Sequence, residues 1–294
     1  MSKCGYVSVV GRPNAGKSSL LNWLVGEKIA MVSHKANATR KRSNIIVMHN
    51  EAQMVFVDTP GLHETEKLLN QFMLDEALKA IGDCDLILFL APVTDKLTHY
   101  ENFLEKNKKN TKHLLLLTKI DNVTNTEVLA KIKEYEEYAD KYEAIIPVSI
   151  KKQTKQSDIL DVVEEHLPVH PYLYDPEIMT TEHMRDIFKE FIRESIFDNI
   201  SDEIPYETDV LINKVEEKND LDVVKATIIV QKSTQKGMLI GKGAVAIKRI
   251  GKDARLKIEK LTGRKCYLEL FVSIKKGWTK NKQGLKELGY DVTF

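Results

Sequence analysis

Residues 11–18 read GRPNAGKS and sit between a β-rich run, 6–10, and an amphipathic stretch, 17–25. The octapeptide satisfies G-x-x-x-x-G-K-[ST], and its place after a strand and before a helix is what gives that spacing meaning. Glycines let the loop curl so that backbone N–H groups point inward at phosphate oxygens, and the following helix adds its positive end. A chain that opens this way is committed to an α/β sheet with a phosphate cradle at one strand end. Gly11, Arg12, Pro13, Asn14, Ala15, Gly16, Lys17, Ser18 and Ser19 form that cradle. Lys17 is expected to reach the β- and γ-phosphates and Ser18 to ligate Mg²⁺.

The pattern downstream fits. Short β-rich runs at 44–49, 53–57, 85–93, 113–119 and 144–148 alternate mostly with amphipathic stretches at 68–81, 126–138 and 158–167. Strands apolar on both faces and separated by helices imply a mostly parallel sheet with helices on each side. Only 44–49 and 53–57 follow one another directly, across a polar turn at Asn50–Glu51, so that pair is expected to be antiparallel at the sheet edge. After Leu167 come Pro168, Pro171 and Pro176, which disfavour helix and mark a linker. The expected domains are 1–167, a linker at 168–179, and 180–294. The last reads helix (181–199), strand (208–216), strand (222–230), helix (243–261), strand (265–273) and a short helix (282–288), a small α+β domain.

Three strand ends after the cradle bear on which nucleotide fits. Asp58, Thr59, Pro60, Gly61 and Leu62 follow the second of the paired strands. An Asp there can hold Mg²⁺, and the Gly61 N–H can sense a γ-phosphate. Thr118, Lys119, Ile120 and Asp121 follow the strand at 114–117. A carboxylate at that point accepts from guanine N1–H and the 2-amino group, which adenine cannot offer, so Asp121 implies guanine selectivity. The common form of this motif begins with Asn. Thr118 replaces an amide contact by a hydroxyl contact, with some expected loss of affinity. Ser149, Ile150 and Lys151 form the last turn, with Ile150 where Ala is usual, for a backbone donor to guanine O6.

The polar segment 33–43 (SHKANATRKRS) is long enough to fold over a γ-phosphate, and Thr39 is its candidate for a further Mg²⁺ ligand; the other reading is a basic loop without a ligand. Leu62 stands where a water-positioning glutamine is found in other phosphate-loop hydrolases. His63 is a neighbouring base that carries little weight. Lys17, Asn14, Thr39 and Gly61 make up the candidate catalytic set.

Charge divides the chain. Residues 231–294 hold 16 Lys/Arg against 5 Asp/Glu, and the remainder 28 against 38, so a basic block follows an acidic body. Such a block implies a polyanionic partner. Within it IGKGAVAIKRIG (240–251) places a glycine turn before a basic helix, the core pattern of an RNA-binding KH domain. Ile247, Ile250, Ala254, Ile258 and Leu261 share the core face; Lys248, Arg249, Lys252 and Arg255 are offered to RNA together with the turn Gly241, Lys242, Gly243 and Ala244. KH turns have GxxG. Ala244 in the last place is strained if positive φ is needed there, or Gly243 takes that role one position earlier.

The three cysteines, Cys4, Cys84 and Cys266, lie far apart and form no CxxC pair, which argues against a zinc site or disulfide framework and fits a reducing compartment. With 43% hydrophobic and 30% charged residues, the composition is that of a folded chain. It shows no signal-peptide pattern at its start and no apolar run long enough to cross a bilayer.

Taken together, GRPNAGKSSLLN, DTPGLH, DLIL, YLYDPE, DEIPYETDV, RIGKDAR, and YLELFV with KKGW and LKELGYD resemble the Era family, in the TrmE–Era group of P-loop GTPases. The resemblance implies a GTPase domain followed by a KH domain of the second topological type, with GTP/GDP and Mg²⁺ as cofactors. It also implies K⁺ held by Asn14, for which loop shaping is the other reading. It implies the 3′ end of 16S rRNA and the 30S subunit as partners, with no DNA. A monomer in the cytoplasm, in peripheral contact with the inner membrane, is implied as well. A scaffold that binds RNA without turnover and a membrane-surface GTPase are the alternatives.

Overall fold

The computed structural model describes residues 2–32, 38–62, 68–152, 154–200 and 204–291. The chain divides into two compact units: Met1–Ala30, Thr39–Glu64 and Met73–Thr181 make the first, and Glu182–Phe294 with Met31–Ala38 and Thr65–Phe72 make the second.

The first unit runs β1 (Lys3–Val10), α1 (Lys17–Val25), β2 (Ser43–His49), β3 (Ala52–Asp58), α2 (Leu68–Gly82), β4 (Leu86–Pro92), α3 (Thr98–Lys106), β5 (His113–Thr118), α4 (Asn125–Tyr135), β6 (Ala144–Val148) and α5 (Gln156–His166). Its sheet has the order β2-β3-β1-β4-β5-β6. All neighbours are parallel except β2–β3, the expected antiparallel edge. Period-two alternation explains how β4 serves two cores. Leu86, Leu88 and Leu90 join Leu20, Leu21 and Ile159 on one face. Ile87, Phe89 and Ala91 join Tyr100, Phe103, Val128 and Tyr135 on the other. Each fully buried Leu or Phe contributes about 1.5–3 kcal/mol. The parallel strands end together, so the loops after β1, β3, β5 and β6 share one edge, where open α/β sheets bind ligands.

α3 was not among the expected helices. Only Tyr100 and Phe103, three residues apart, are buried along it, too short a stripe to announce itself. The segment at 168–181 also behaves differently from an extended linker. Cys4 N donates to Pro168 O (3.2 Å) and Ile46 N to Met179 O (2.8 Å), while the Thr180 hydroxyl donates to Asn44 O (2.6 Å). Gln53, buried in β3, donates to Tyr174 O and accepts from the N–H groups of Leu173 and Tyr174 at 2.8–3.0 Å. The segment is therefore bonded along the first unit, and the division between units falls at Thr181/Glu182.

The second unit runs α6 (Met184–Asn199), β7 (Asp209–Lys218), β8 (Leu221–Val230), α7 (Ser233–Ile240), α8 (Val245–Thr262), β9 (Lys265–Ile274) and α9 (Lys282–Glu287). β7 and β8 pair antiparallel; β9 joins β8 in parallel, which requires the crossover that α7 and α8 supply. Ile187, Phe191 and Ile192 of α6 pack with Val224, Ala226 and Ile228 of β8 and Ile250, Ala254 and Ile258 of α8. The last three are the core face expected from 3–4 spacing. α7 was also unassigned in the sequence; it carries Gly237, and Gln235 Oε1 secures its start by accepting from Gln231 N and Lys232 N (both 2.9 Å). Among the described residues no helix is long and apolar enough to cross a membrane.

Candidate nucleotide site and nucleic-acid interface

The loop after β1 curls where the motif requires it. Gly16 lies at φ +106 with open space where a Cβ would stand, and no side chain caps α1, leaving its first N–H groups directed outward. Elsewhere the glycines permit close approach. A Cβ on Gly11 would meet Leu90 O at 2.8 Å, and one on Gly61 would meet Pro13 N at 2.7 Å. Leu62 N donates to Gly11 O (3.2 Å), so the strand-end segment after β3 lies against the cradle. Lys17 is buried, its Nζ donating to the carbonyls of Gly11 and Arg12 (both 3.2 Å). Burial pushes its ammonium down to about 8, with Asp58 opposing that shift.

Three residues far apart in sequence converge beside it. Ser18 Oγ donates to Asp58 Oδ2 at 2.9 Å; Thr39 Oγ1 lies 3.1 Å from Ser18 Oγ and 3.3 Å from the same carboxylate oxygen. A hard, all-oxygen set with one buried carboxylate suits Mg²⁺. Thr59 follows Asp58 but turns inward, donating to Val9 O at 2.6 Å, so its hydroxyl ties strands rather than facing the cradle. Pro60 is buried beside it, and Ser19 occupies the first turn of α1. Residues 33–37 of the expected switch loop, and His63, lie outside the described residues.

The loops after β5 and β6 close on the same edge. Thr118 donates to Ala15 O (3.3 Å), and Lys119, at φ +60, extends Nζ to Asn14 O (2.7 Å). Burial lowers the Lys119 pKa. The hydroxyl at 118 thus ties this strand end to the cradle. Asp121 lies in a short turn after Ile120, its Oδ1 accepting from Ser149 Oγ at 2.8 Å, while Ser149 Oγ also accepts from Lys152 N. Ile150 and Lys151 are exposed, with Lys151 Nζ 4.0 Å from Asp121 Oδ2. Asn14 is exposed at φ +62, a left-handed backbone that Asn tolerates better than most residues.

In the second unit Lys242, Lys248, Arg249, Lys252 and Arg255 are exposed around the start of α8. Arg249 donates to Asn199 O (2.6 Å) and so is held on the end of α6. Arg255 Nε lies 3.9 Å from Glu259. A Cβ on Gly241 would stand 2.9 Å from that of Ala246, so the turn packs tightly on the helix it opens. Gly243 and Ala244 are both left-handed, at φ +62 and +61. The strain considered from sequence is therefore present at Ala244. An L-residue there costs about 1–2 kcal/mol, offset by glycine's greater freedom when unfolded. Ala244→Gly is expected to raise stability by roughly 0.5–1 kcal/mol and the melting temperature by a few degrees; a thermal melt that stays level or falls disproves the strain.

One residue of the site carried no sequence signal. Asp95 follows β4 and is only 7% exposed. It holds Arg12 through two bonds, Nε to Oδ2 and Nη2 to Oδ1, both 2.6 Å. A lone Asp in a polar loop announces nothing; its partner lies 83 positions away.

A G-x-x-x-x-G-K-S loop, three oxygen side chains converging beside its buried lysine and a carboxylate after β5 on a mostly parallel sheet, followed by an α-β-β-α-α-β unit with a basic glycine turn, define a P-loop GTPase with a KH domain. Residues 6–119 match the family of 50S ribosome-binding GTPases, and residues 203–279 match the KH domain. The chain is 50% identical over 289 residues to the GTPase Era of Campylobacter lari, covering 98% of this chain and 99% of that one. It belongs to the Era family of GTPases. Two solved structures superimpose with TM-scores of 0.94, each covering 99% of this chain and 100% of the other. One is Era in complex with MgGDPNP and nucleotides 1506–1542 of 16S ribosomal RNA, 31% identical. The other is an Aquifex aeolicus Era variant bound to GDP·AlF₄⁻, 32% identical.

Proposed function

We propose that this chain is a GTP-hydrolysing switch that binds the 3′ region of 16S rRNA through its KH domain and assists assembly of the 30S subunit. The observation that carries the reading is the convergence of Ser18, Thr39 and Asp58 beside buried Lys17. The relative solved with MgGDPNP and a 16S rRNA fragment supports both halves of it.

In this reading the first-turn N–H groups of α1 and Lys17 hold the β- and γ-phosphates, and Asp121 reads guanine, buttressed by Ser149. Ser18, Thr39 and Asp58 hold Mg²⁺, which neutralises charge on phosphoryl oxygens when bound. Thr39 and Gly61, on the two segments that flank the γ-phosphate, respond to its presence, and hydrolysis releases them. Lys242, Lys248, Lys252 and Arg255 bind the RNA backbone, while Arg249 orders the helix on which they stand. Asn14 is assigned to K⁺ by resemblance alone; turnover compared in K⁺, Na⁺ and Li⁺ tests that assignment.

Turnover of GTP and ATP by the purified chain tests the first half. Retention of a 16S rRNA 3′ fragment with GDP, with a non-hydrolysable GTP analogue and without nucleotide tests the second. GTP turnover with nucleotide-dependent RNA retention supports the reading. No turnover reduces the chain to an RNA-binding scaffold. Retention by anionic vesicles in preference to RNA turns the basic block into a membrane surface, the peripheral contact that the resemblance also implies. The monomeric state is tested by sedimentation of the same preparation.

Lys17 adds a pH signature. Its ammonium titrates near 8 in the structure, and phosphate anions beside it push that value upward. At about pH 9, nucleotide binding is therefore expected to take up close to one proton. Calorimetry in two buffers of different ionisation enthalpy reads that uptake, and its absence removes Lys17 from the phosphates.

A further inference from the structure

We infer that Asp95 is a positioning residue for GTP hydrolysis, fixing Arg12 and through it the shape of the cradle at residues 12–15. The inference rests on the reading of that loop as a GTP site.

The geometry is that of a clamp. Asp95 is held in a tight turn at the end of β4, its N–H donating to Pro92 O (2.8 Å), and Val93 N next to it donates to Thr118 O (2.9 Å). From there both carboxylate oxygens grip the Arg12 fork, the bidentate arrangement that fixes direction as well as distance. The remaining arm of Arg12 donates to Pro13 O at 3.0 Å. Pro13 is confined on another side by the backbone of Gly61, where even a Cβ has no room. Asn14 and Ala15, the next residues, are tied by their carbonyls to Lys119 and Thr118. Each residue from 12 to 15 is therefore fixed by a partner on another strand end, and Asp95 supplies the only charged pair among these ties in the described residues. The same bonds turn the Arg12 guanidinium toward Asp95, so Lys17 is left to act on the phosphates. A loop that must place transferring oxygens loses about 100-fold in rate for a displacement near 1 Å, even where nucleotide still binds.

The test uses the full chain and turnover per nucleotide site, counted by stoichiometric binding of a fluorescent GDP. Asp95→Asn is expected to keep one site per chain and lower kcat at least tenfold, with KM moved less than threefold. Asp95→Glu is expected to recover part of the loss. Arg12→Met is expected to lose a similar factor, and the double variant no more than either alone, because both remove one clamp. Should Asp95→Asn fail to fold, the double variant, which leaves no uncompensated charge, decides alone: a tenfold loss per site upholds the clamp, turnover within twofold of the unaltered chain overturns it. Losses that multiply in the double variant also overturn it. If the unaltered chain fails to hydrolyse GTP, the reading of the loop has failed instead.

Discussion

Lys17→Ala is expected to lower GTP turnover by about 10²–10³-fold while leaving the melting temperature unchanged or higher. The two halves have one cause. The Lys17 ammonium is buried, and among the described residues it donates to two neutral carbonyls, Gly11 O and Arg12 O, at 3.2 Å. Burial holds its pKa near 8, below the 10.5 of a solvated lysine. The folded state therefore disfavours the charged form. That penalty is in full force below about pH 8 and is relieved as pH rises from there toward 10.5, with each pKa unit equivalent to about 1.4 kcal/mol. Removing the side chain removes the penalty, so stability does not suffer. What is lost is a pre-placed cation at the phosphates, which a site dry enough to depress the pKa makes effective. Single-turnover hydrolysis and a thermal melt on the same preparation give both readings. A variant that hydrolyses GTP at more than a tenth of the original rate removes Lys17 from catalysis. One that melts well below the original shows the ammonium to be structural.

The parts of the site that could be read in the sequence are those where backbone geometry dictates residue type at short range. GRPNAGKS was legible because a loop turning into a helix around phosphate needs glycine at fixed offsets and a cation after the last of them. Asp58 and Asp121 were legible because each closely follows an apolar run that the sheet buries. Thr39 was legible only as the hydroxyl in a polar segment of the right length, and the structure brings it within 3.3 Å of Asp58. The fold followed from continuous apolar runs such as β4, buried on both faces and separated by helical stretches. What escaped depends on partners distant in the chain. Asp95 needs Arg12; Gln53, a polar residue inside an apolar strand, needs Tyr174. Thr59 sits inside a nucleotide motif yet serves Val9, and Arg249 stands in a basic row yet serves Asn199. In both cases the motif announces a position while packing decides where the side chain goes. α7 escaped because Gly237 lowers its helix propensity by roughly 1 kcal/mol and its start is secured by a side chain reaching back, which periodicity does not register.

The carboxylate proposed to read guanine, Asp121, leads to a change of specificity rather than a plain loss. Guanine presents two donors along one edge, N1–H and the 2-amino group, and a carboxylate offers two acceptors to meet them. Asp121 has Oδ1 engaged by Ser149 Oγ at 2.8 Å, and Ser149 is itself fixed by Lys152 N and by Thr154, whose hydroxyl accepts from Ser149 N. In Asp121→Asn the same Ser149 hydroxyl must find an acceptor, so it keeps the amide oxygen and turns the amide NH₂ toward the base. A donor then faces donors, and a buried pair goes unmatched on both sides, worth about 1–3 kcal/mol for each group left without a partner. GTP affinity is expected to fall by roughly 10²–10⁴-fold, the scale on which sites built to pair polar groups reject a mismatch. Xanthine carries a carbonyl where guanine has its 2-amino group, so the outward amide meets an acceptor and XTP binding is expected to rise. ATP gains less, because adenine offers the amide N1 alone and has no group at C2. Displacement of a fluorescent GDP by GTP, XTP and ATP, run on the unaltered chain and the variant, measures all three. Equal loss for every nucleotide would show Asp121 to be holding its loop, and retention of GTP within threefold would place guanine recognition elsewhere.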